Sequence, residues 1–330
     1  MTAPRQMSVA IEEWPLVKPF RISRGADASV VVVVVEVREG SAVGRGEATP
    51  YARYDETPSG VKADIEAVRE RVESGAGADA RALGLRGAAA NALDCALVDL
   101  EAKLAGTSAW RWLGEAAPQP LVTTMTVTLD DDPEAMAREA LKYSSYGLLK
   151  LKLGAADGDV ERVRAVRKAR PDARLICDVN EGWSAERLQA YAPELHALGV
   201  LMIEQPCPAG DDGALAGLRL PIPLCADESC HVAADVEGLA GRYDLVNVKL
   251  DKAGGLRGAL ELVEAARAHG MDVMVGCMLG TSLAMAPGVI AGQHAVYVDL
   301  DAPLSLTRDR AHGLAYRDGV VGLPAPELWG

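Results

Sequence analysis

Two lysines stand two residues apart, Lys150 and Lys152, in the otherwise apolar run GLLKLKLG at 147–154. In a β-strand they project from one face, and like charges side by side among leucines are costly unless something compensates them. Downstream, the runs CDVN, IEQP and ADES place Asp178, Glu204 and Asp227 at the ends of successive apolar stretches. Three carboxylates brought together repel unless a cation lies between them, and hard oxygen donors of this kind suit Mg²⁺. A further lysine, Lys249, ends LVNVKL, and Lys252 follows in LDKAGG; strand parity leaves both open as its functional partner. An amine beside a second cation and a metal has a lowered pKa and can act as a base near neutral pH, so Lys150 is expected to lower the pKa of Lys152. Singly, each residue has a plainer use: an acid caps a helix and a lysine snorkels from a strand end. Three acids on successive runs, with lysines flanking them, favour one shared site.

The elements that would position these side chains follow a regular pattern. Short apolar runs at 123–128, 147–154, 173–180, 200–206, 222–229, 245–250, 272–279 and 295–301 alternate with helix-like segments. One polar residue near the end of each gives Thr126, Lys152, Asp178, Glu204, Asp227, Lys249, Cys277 and Asp301, spaced by 22 to 28 residues. A β-then-α period that stops at eight points to a (β/α) barrel, in which strand C-termini converge on one mouth. Lys150 and Lys152 on the second strand would then face Lys249 on the sixth. Asp132 before Pro133, and Ser184, are expected helix caps. No convincing GxGxxG or Walker loop opens a helix, and GGLRG at 254–258 reads as a tight turn. Ahead of the barrel, residues 1–117 read as an α+β unit: three strands up to about 50, then helices over 57–74 and 86–104, the latter stopped at Gly106. The barrel is expected over 118–303, and a tail over 304–330 returns to the N-terminal unit.

The chain has 330 residues, 49% hydrophobic and 25% charged, with a net charge of −13. That composition suits a globular protein and argues against nucleic acid as a partner, since no basic run offers a footprint for phosphates. The six cysteines form no CxxC pair, which suggests buried thiols in a reducing setting. The N-terminus lacks a signal-peptide pattern, and the valine run at 30–35 is too short to span a bilayer. The expectation is a cytoplasmic protein with no membrane partner.

With KLK at 150–152, DVN at 178–180, EQP at 204–206, DES at 227–229 and VKLDKAGG at 248–255 in this order, nearly the whole chain resembles the enolase superfamily, in its muconate-lactonizing subgroup. The resemblance implies a (β/α)7β barrel with an α+β capping domain built from the N-terminal region and the C-terminal tail. It implies one Mg²⁺ per subunit on Asp178, Glu204 and Asp227, with Lys152 and Lys249 as acid/base groups on opposite faces of the substrate. The reaction it implies is removal of a proton α to a carboxylate, giving an enolate that the metal stabilises.

Within the subgroup, Asp299 and Asp301 in AVYVDLD form an anionic pair suited to an ammonium. This DxD looks like that of the dipeptide epimerases, where it holds the α-ammonium of the N-terminal residue. The segment GCMLGTS is similar too, although Gly280 stands where many members carry Glu. By family analogy the loops of the capping domain complete the pocket: Arg24 in PFRISRG could fork onto a side-chain carboxylate, and TPYARYDET adds Arg53 and tyrosines. Thr126 is counted among the substrate ligands. The expected reaction is epimerisation of L-Ala-D-Glu to L-Ala-L-Glu. Alternatives are o-succinylbenzoate synthase, N-succinylamino acid racemase or muconate cycloisomerase activity, or a non-catalytic metal-binding barrel. The expected partner is a small dipeptide, and a homo-oligomer is possible.

Overall fold

A computed structural model describes residues 4–75 and 79–330. The first three strands, β1 (Gln6–Ile22), β2 (Gly25–Glu39) and β3 (Ala42–Ala48), form an antiparallel sheet in the order β1-β2-β3. Its valine run has no polar face because both faces are covered. Val30, Val32 and Val34 pack into the core that includes the barrel, while Val33, Val35 and Val37 pack into a second core against helices. Those helices are α1 (Pro58–Ala67), α2 (Arg69–Glu73) and α3 (Gly87–Leu104). The single helix expected over 57–74 breaks at Val68; α3 ends as expected before Gly106, whose φ is 64°.

PFRISRG was expected to be a loop. Instead β1 runs through it, and Ser23 and Arg24 form a two-residue turn, with Ile22 paired to Gly25. A register shift between Pro15 and Phe20 bends this hairpin, as bulges do.

After a short strand β4 (Leu121–Val122), eight parallel strands follow: β5 (Met125–Val127), β6 (Leu148–Lys152), β7 (Arg174–Asp178), β8 (Val200–Glu204), β9 (Leu224–Ala226), β10 (Leu245–Lys249), β11 (Asp272–Gly276) and β12 (Tyr297–Val298). They lie side by side in chain order, and the Thr124 N–H donates to the Val298 carbonyl at 2.8 Å where the sheet curls back on itself. The architecture is the TIM-like barrel with a separate N-terminal cap sheet. Helices Pro133–Lys142 and Ala185–Ala197 begin as the sequence indicates, with Asp132 accepting from the Glu134 N–H and Ser184 from the Arg187 N–H. The alternation lapses after β8, where only a 3-10 turn follows, and after β9, where the helix has four residues. The two glycines of GGLRG make the expected turn: Gly254 and Gly255 have φ of 78° and 106°, and a Cβ on Gly255 would lie 2.4 Å from that of Asp94.

The tail forms β13 (Tyr316–Arg317) and β14 (Val320–Val321), and β14 pairs with β4. It then reaches α3, where the Trp329 indole donates to the Cys95 carbonyl at 3.0 Å. Among the described residues no helix is long and apolar enough to cross a membrane.

The cap sheet and α3 touch backbone to backbone. A Cβ on Gly44 would lie 2.1 Å from the Ala96 carbonyl oxygen, and one on Gly46 2.0 Å from that of Ala92. Relief would require the sheet and the helix to part. Gly46→Ala should therefore lower the free energy of unfolding by about 1–3 kcal/mol, measured by urea denaturation; an unchanged midpoint would contradict this account of the contact.

Candidate active site

Pairing across the barrel sets the acids in one layer. Lys152 on β6 is opposite Asp178 on β7, which is opposite Glu204 on β8. Asp227 follows the end of β9. One carboxylate oxygen from each of Asp178, Glu204 and Asp227 falls within a group spanning 4.8 Å, and all three side chains are buried. Lys150, from the same face of β6 as Lys152, sits beneath this layer. Its Nζ is 3.0 Å from Asp178, 2.8 Å from Glu204 and 2.8 Å from Asp299.

Burial alone would push every one of these charges toward neutrality, so each shift reports its neighbours. Burial lowers the Lys150 ammonium, but Asp178, Asp299 and Glu204 outweigh it and hold its pKa well above the usual value. Burial raises Asp178, and Lys150 with Lys152 outweighs that, keeping it below the usual carboxylate range. Glu204 goes the other way, pushed up to about 7 by burial and by Asp178, against Lys150. From the sequence, Lys150 is expected to act on Lys152 from a barrel mouth that also holds the three acids. The structure adds Asp299, so that three carboxylates lie within 3.0 Å of the Lys150 ammonium.

Lys152 donates to Asp178 at 2.6 Å and to the Asn180 side chain at 3.2 Å. Across the mouth, Lys249 donates to Asp227 at 2.7 Å. Burial lowers the Lys249 pKa, and Asp227 more than reverses this. Both amines border a cavity of about 350 Å³. Lys249 lines the cavity and Lys252 does not: the Lys252 side chain is fully buried behind Asp227, bonded to that residue and to the Asn247 carbonyl.

The two aspartates of DLD were expected to act as a pair. Asp299 is engaged on both oxygens, by Thr124 at 2.6 Å and Lys150 at 2.8 Å. Asp301 accepts the Thr126 N–H at 2.6 Å and borders the cavity, its pKa pushed up to about 7 by burial and by Asp299. Thr126 lines the cavity as well.

Arg24, at the hairpin tip, also reaches the cavity wall but is not free. It donates to the Asn180 carbonyl at 2.9 Å and the Tyr51 hydroxyl at 2.8 Å, and it pairs with Glu228 at 2.8 Å and Glu181 at 3.1 Å. Arg53 lies away from the cavity wall, on Glu181 at 2.9 Å. Glu181 thus holds an arginine from each cap loop, and it accepts the Ala209 N–H at 2.7 Å. Neither Glu181 nor Glu228 is singled out from the sequence, although Glu181 adjoins DVN and Glu228 is the middle residue of DES. That placement is the available signal. The left-handed backbone at Asn180, φ 46°, suits an asparagine, but that at Glu181, φ 69°, carries no residue-type signature. Gly280 makes room for an acid from elsewhere: a Cβ there would lie 3.2 Å from the Glu47 carboxylate, which accepts the Thr281 N–H at 2.7 Å and pairs with Arg310 at 2.7 Å.

The donor set fits a hard divalent cation. Besides the three carboxylates, the buried Glu204 Oε2 has no hydrogen-bond partner among the described residues, only the Lys150 charge beside it.

Residues 5–114 match the N-terminal domain family of mandelate racemase and muconate lactonizing enzyme, and residues 133–326 match the enolase C-terminal domain-like family. The chain belongs to the enolase superfamily. Within the superfamily it is 43% identical to the L-Ala-D/L-Glu epimerase of Escherichia coli K12, over 97% of this chain and 100% of that one. It is 41% identical to an N-acetyl-D-glutamate racemase from a Pseudoalteromonas species, over 91% of this chain and 95% of the other. A crystal structure of an enolase family member from Agrobacterium tumefaciens, with homology to dipeptide epimerases and with sodium and L-Ala-L-Glu bound, superposes with a TM-score of 0.94 at 46% identity, covering 99% of this chain and 100% of that one.

Filling the acid cluster should stabilise the fold. Mg²⁺ at 100 times its dissociation constant should add about 2.7 kcal/mol to the unfolding free energy, measured by denaturation with Mg²⁺ or with EDTA. Asp227→Asn should lose most of this increment; an equal increment in that variant would place the ion elsewhere.

Proposed function

We propose that this enzyme is a dipeptide epimerase that inverts the α-carbon of the C-terminal residue, with L-Ala-D-Glu and L-Ala-L-Glu as its substrate pair. The observation that carries the reading is the placement of Lys152 and Lys249 on opposing walls of a cavity that Asp301 also lines. Two amines on opposite faces of one carbon can take a proton from one side and return it on the other.

In the proposed mechanism, Asp301 binds the substrate ammonium, and Arg24 receives the side-chain carboxylate after exchanging one of its acidic partners. Asp178, Glu204 and Asp227 would hold Mg²⁺, which when bound supplies positive charge where negative charge builds on the substrate carboxylate. Lys152, uncharged, accepts the α-proton of the L centre at Nζ, and Lys249, as an ammonium, donates a proton to the opposite face. For the D centre the roles exchange. Lys150 stays charged between Asp178, Glu204 and Asp299, fixing the acids rather than moving a proton. A reducing, cytoplasmic setting suits the six free cysteines.

A second reading, racemisation of an N-acylated glutamate, draws on the 41% identity to the N-acetyl-D-glutamate racemase. Such a substrate has no ammonium for Asp301. Asp301→Asn should lower kcat/KM for L-Ala-L-Glu by about 10- to 100-fold, the loss of a charged hydrogen bond, and leave N-acetylglutamate turnover unchanged or improved. Equal losses on both would remove Asp301 from the ammonium site.

Proton exchange tests the lysines directly. In D₂O, proton NMR should show deuterium entering the α-position of L-Ala-L-Glu as the epimer forms, and Lys152→Ala should abolish epimerisation; full activity in that variant would sink the two-base scheme. The pH profile follows from Asp301. Its carboxyl, raised to about 7, ionises as pH rises, while a peptide α-ammonium loses its charge near about 7.7–8.0. The value of kcat/KM should therefore rise through about pH 7 and fall again above about pH 8; Asp301→Asn should flatten the acidic limb.

A further inference from the structure

Gln205 follows Glu204 at the end of β8, in IEQP, and does not line the cavity. Its side chain is fully buried, and every polar atom on it is used. The amide oxygen accepts the backbone N–H of Asp227 at 2.8 Å and that of Ser229 at 3.1 Å. The two N–H groups of the amide nitrogen are shared among three acceptors, the Cys207 carbonyl at 2.8 Å, the Ser229 hydroxyl at 2.8 Å and the Tyr243 hydroxyl at 3.0 Å. Only this orientation of the amide works, because the two backbone N–H groups can only donate.

The backbone beneath is equally constrained. Gln205 has a φ of 34°, in the left-handed region, and it precedes Pro206, which narrows its conformations further. Its N–H donates to the Cys225 carbonyl at 2.8 Å, and its carbonyl accepts the Glu181 N–H at 2.9 Å. Strained backbone persists where the surroundings over-determine it, and here three strand ends do so.

We infer that Gln205 is the positioning residue that sets the separation between Glu204 and Asp227. It is covalently joined to the first acid and holds the backbone of the second through one amide. From there the hydrogen bonds run outward: the Ser229 hydroxyl donates to Asp212 at 2.7 Å, the Tyr243 hydroxyl to the same carboxylate at 3.0 Å, and Arg242 pairs with Asp212 at 2.6 Å nearer the surface. EQP and DES are thereby one unit: the glutamine of the first motif binds the backbone of the aspartate and of the serine in the second. The inference rests on the reading that Asp178, Glu204 and Asp227 hold Mg²⁺.

Mg²⁺ demands near-ideal octahedral geometry at about 2.0–2.1 Å, whereas Ca²⁺ tolerates irregular coordination at about 2.3–2.6 Å. A clamp on ligand separation should therefore matter more to the smaller ion, a distinction that a merely structural role would not produce. The test is calorimetric titration of Mg²⁺ and of Ca²⁺ into wild type, Gln205→Gly and Tyr243→Phe, with the metal-free fold checked by circular dichroism. Gln205→Gly removes the amide and suits the left-handed backbone; Tyr243→Phe removes one hydroxyl remote from the acids. Gln205→Gly should raise the Mg²⁺ dissociation constant by about 10- to 100-fold and the Ca²⁺ constant less, and Tyr243→Phe should raise the Mg²⁺ constant by a smaller factor. An unchanged Mg²⁺ constant in folded Gln205→Gly, or equal weakening of both ions, would overturn the inference; if that variant does not fold, an unchanged constant in Tyr243→Phe would do so. Failure of the wild type to bind Mg²⁺ would instead overturn the metal reading itself, and this inference with it.

Discussion

The structure is organised around a concentration of buried charge. Carboxylate oxygens of Asp178, Glu204 and Asp227 gather within 4.8 Å, where repulsion and desolvation act together. The arrangement persists because Lys150, Lys152, Lys249 and Lys252 each place an ammonium against one or more of these acids. Removing Lys150 would leave Glu204 without an ammonium, while Asp178 and Asp227 each have two, and an unpaired buried charge is among the costliest defects a fold can carry. The barrel provides what this balance requires, strand ends that arrive at one level from neighbouring directions.

The four lysines nonetheless have different positions relative to the cavity. Lys252 lies behind the acid layer and off the cavity wall, while Lys150, Lys152 and Lys249 line the cavity, Lys150 the most buried of the three and held by three acids. Both aspartates of DLD line the cavity, but Asp299 has both oxygens engaged, by Thr124 and Lys150, whereas Asp301 accepts the Thr126 N–H. Alternate residues on one strand face thus differ in how fully the protein engages their charge. The arginines of the cap loops meet the barrel on a single acid, Glu181, so the roof of the cavity is tied to the residue three places beyond Asp178.

Much of this was readable from residue types. Each apolar run has a polar residue near its end, and the repeat length of one strand plus one helix made the eightfold ring visible. The acids and lysines stood out because charge inside an apolar run has few explanations. What stayed hidden depended on partners distant in sequence. That Lys150 is also paired with Asp299 depends on a residue at the opposite end of the barrel in chain order. The hairpin carrying Arg24 reads as a loop because of Pro19 and Gly25, although Phe20, Arg21, Ile22 and Ser23 alternate as a strand does; its pairing with β2 keeps it extended. Gln205 and Glu181 owe their roles to left-handed backbone, which the identity of a glutamine or a glutamate does not advertise.

The valine run of β2 has a consequence for how the chain finds this arrangement. Its alternate residues enter different cores, yet both sets are the same amino acid. In most half-buried strands a one-residue slip exposes apolar side chains, and that penalty corrects it. Here a slip would exchange one set of valines for the other at almost no hydrophobic cost. Alignment must come from landmarks that a slip would displace: the glycines of β3, which fit only where α3 crosses, and the shifted pairing between Pro15 and Phe20. The run is thus strongly cohesive but uninformative, and sparse flanking residues supply the proofreading for a segment that could otherwise settle out of step.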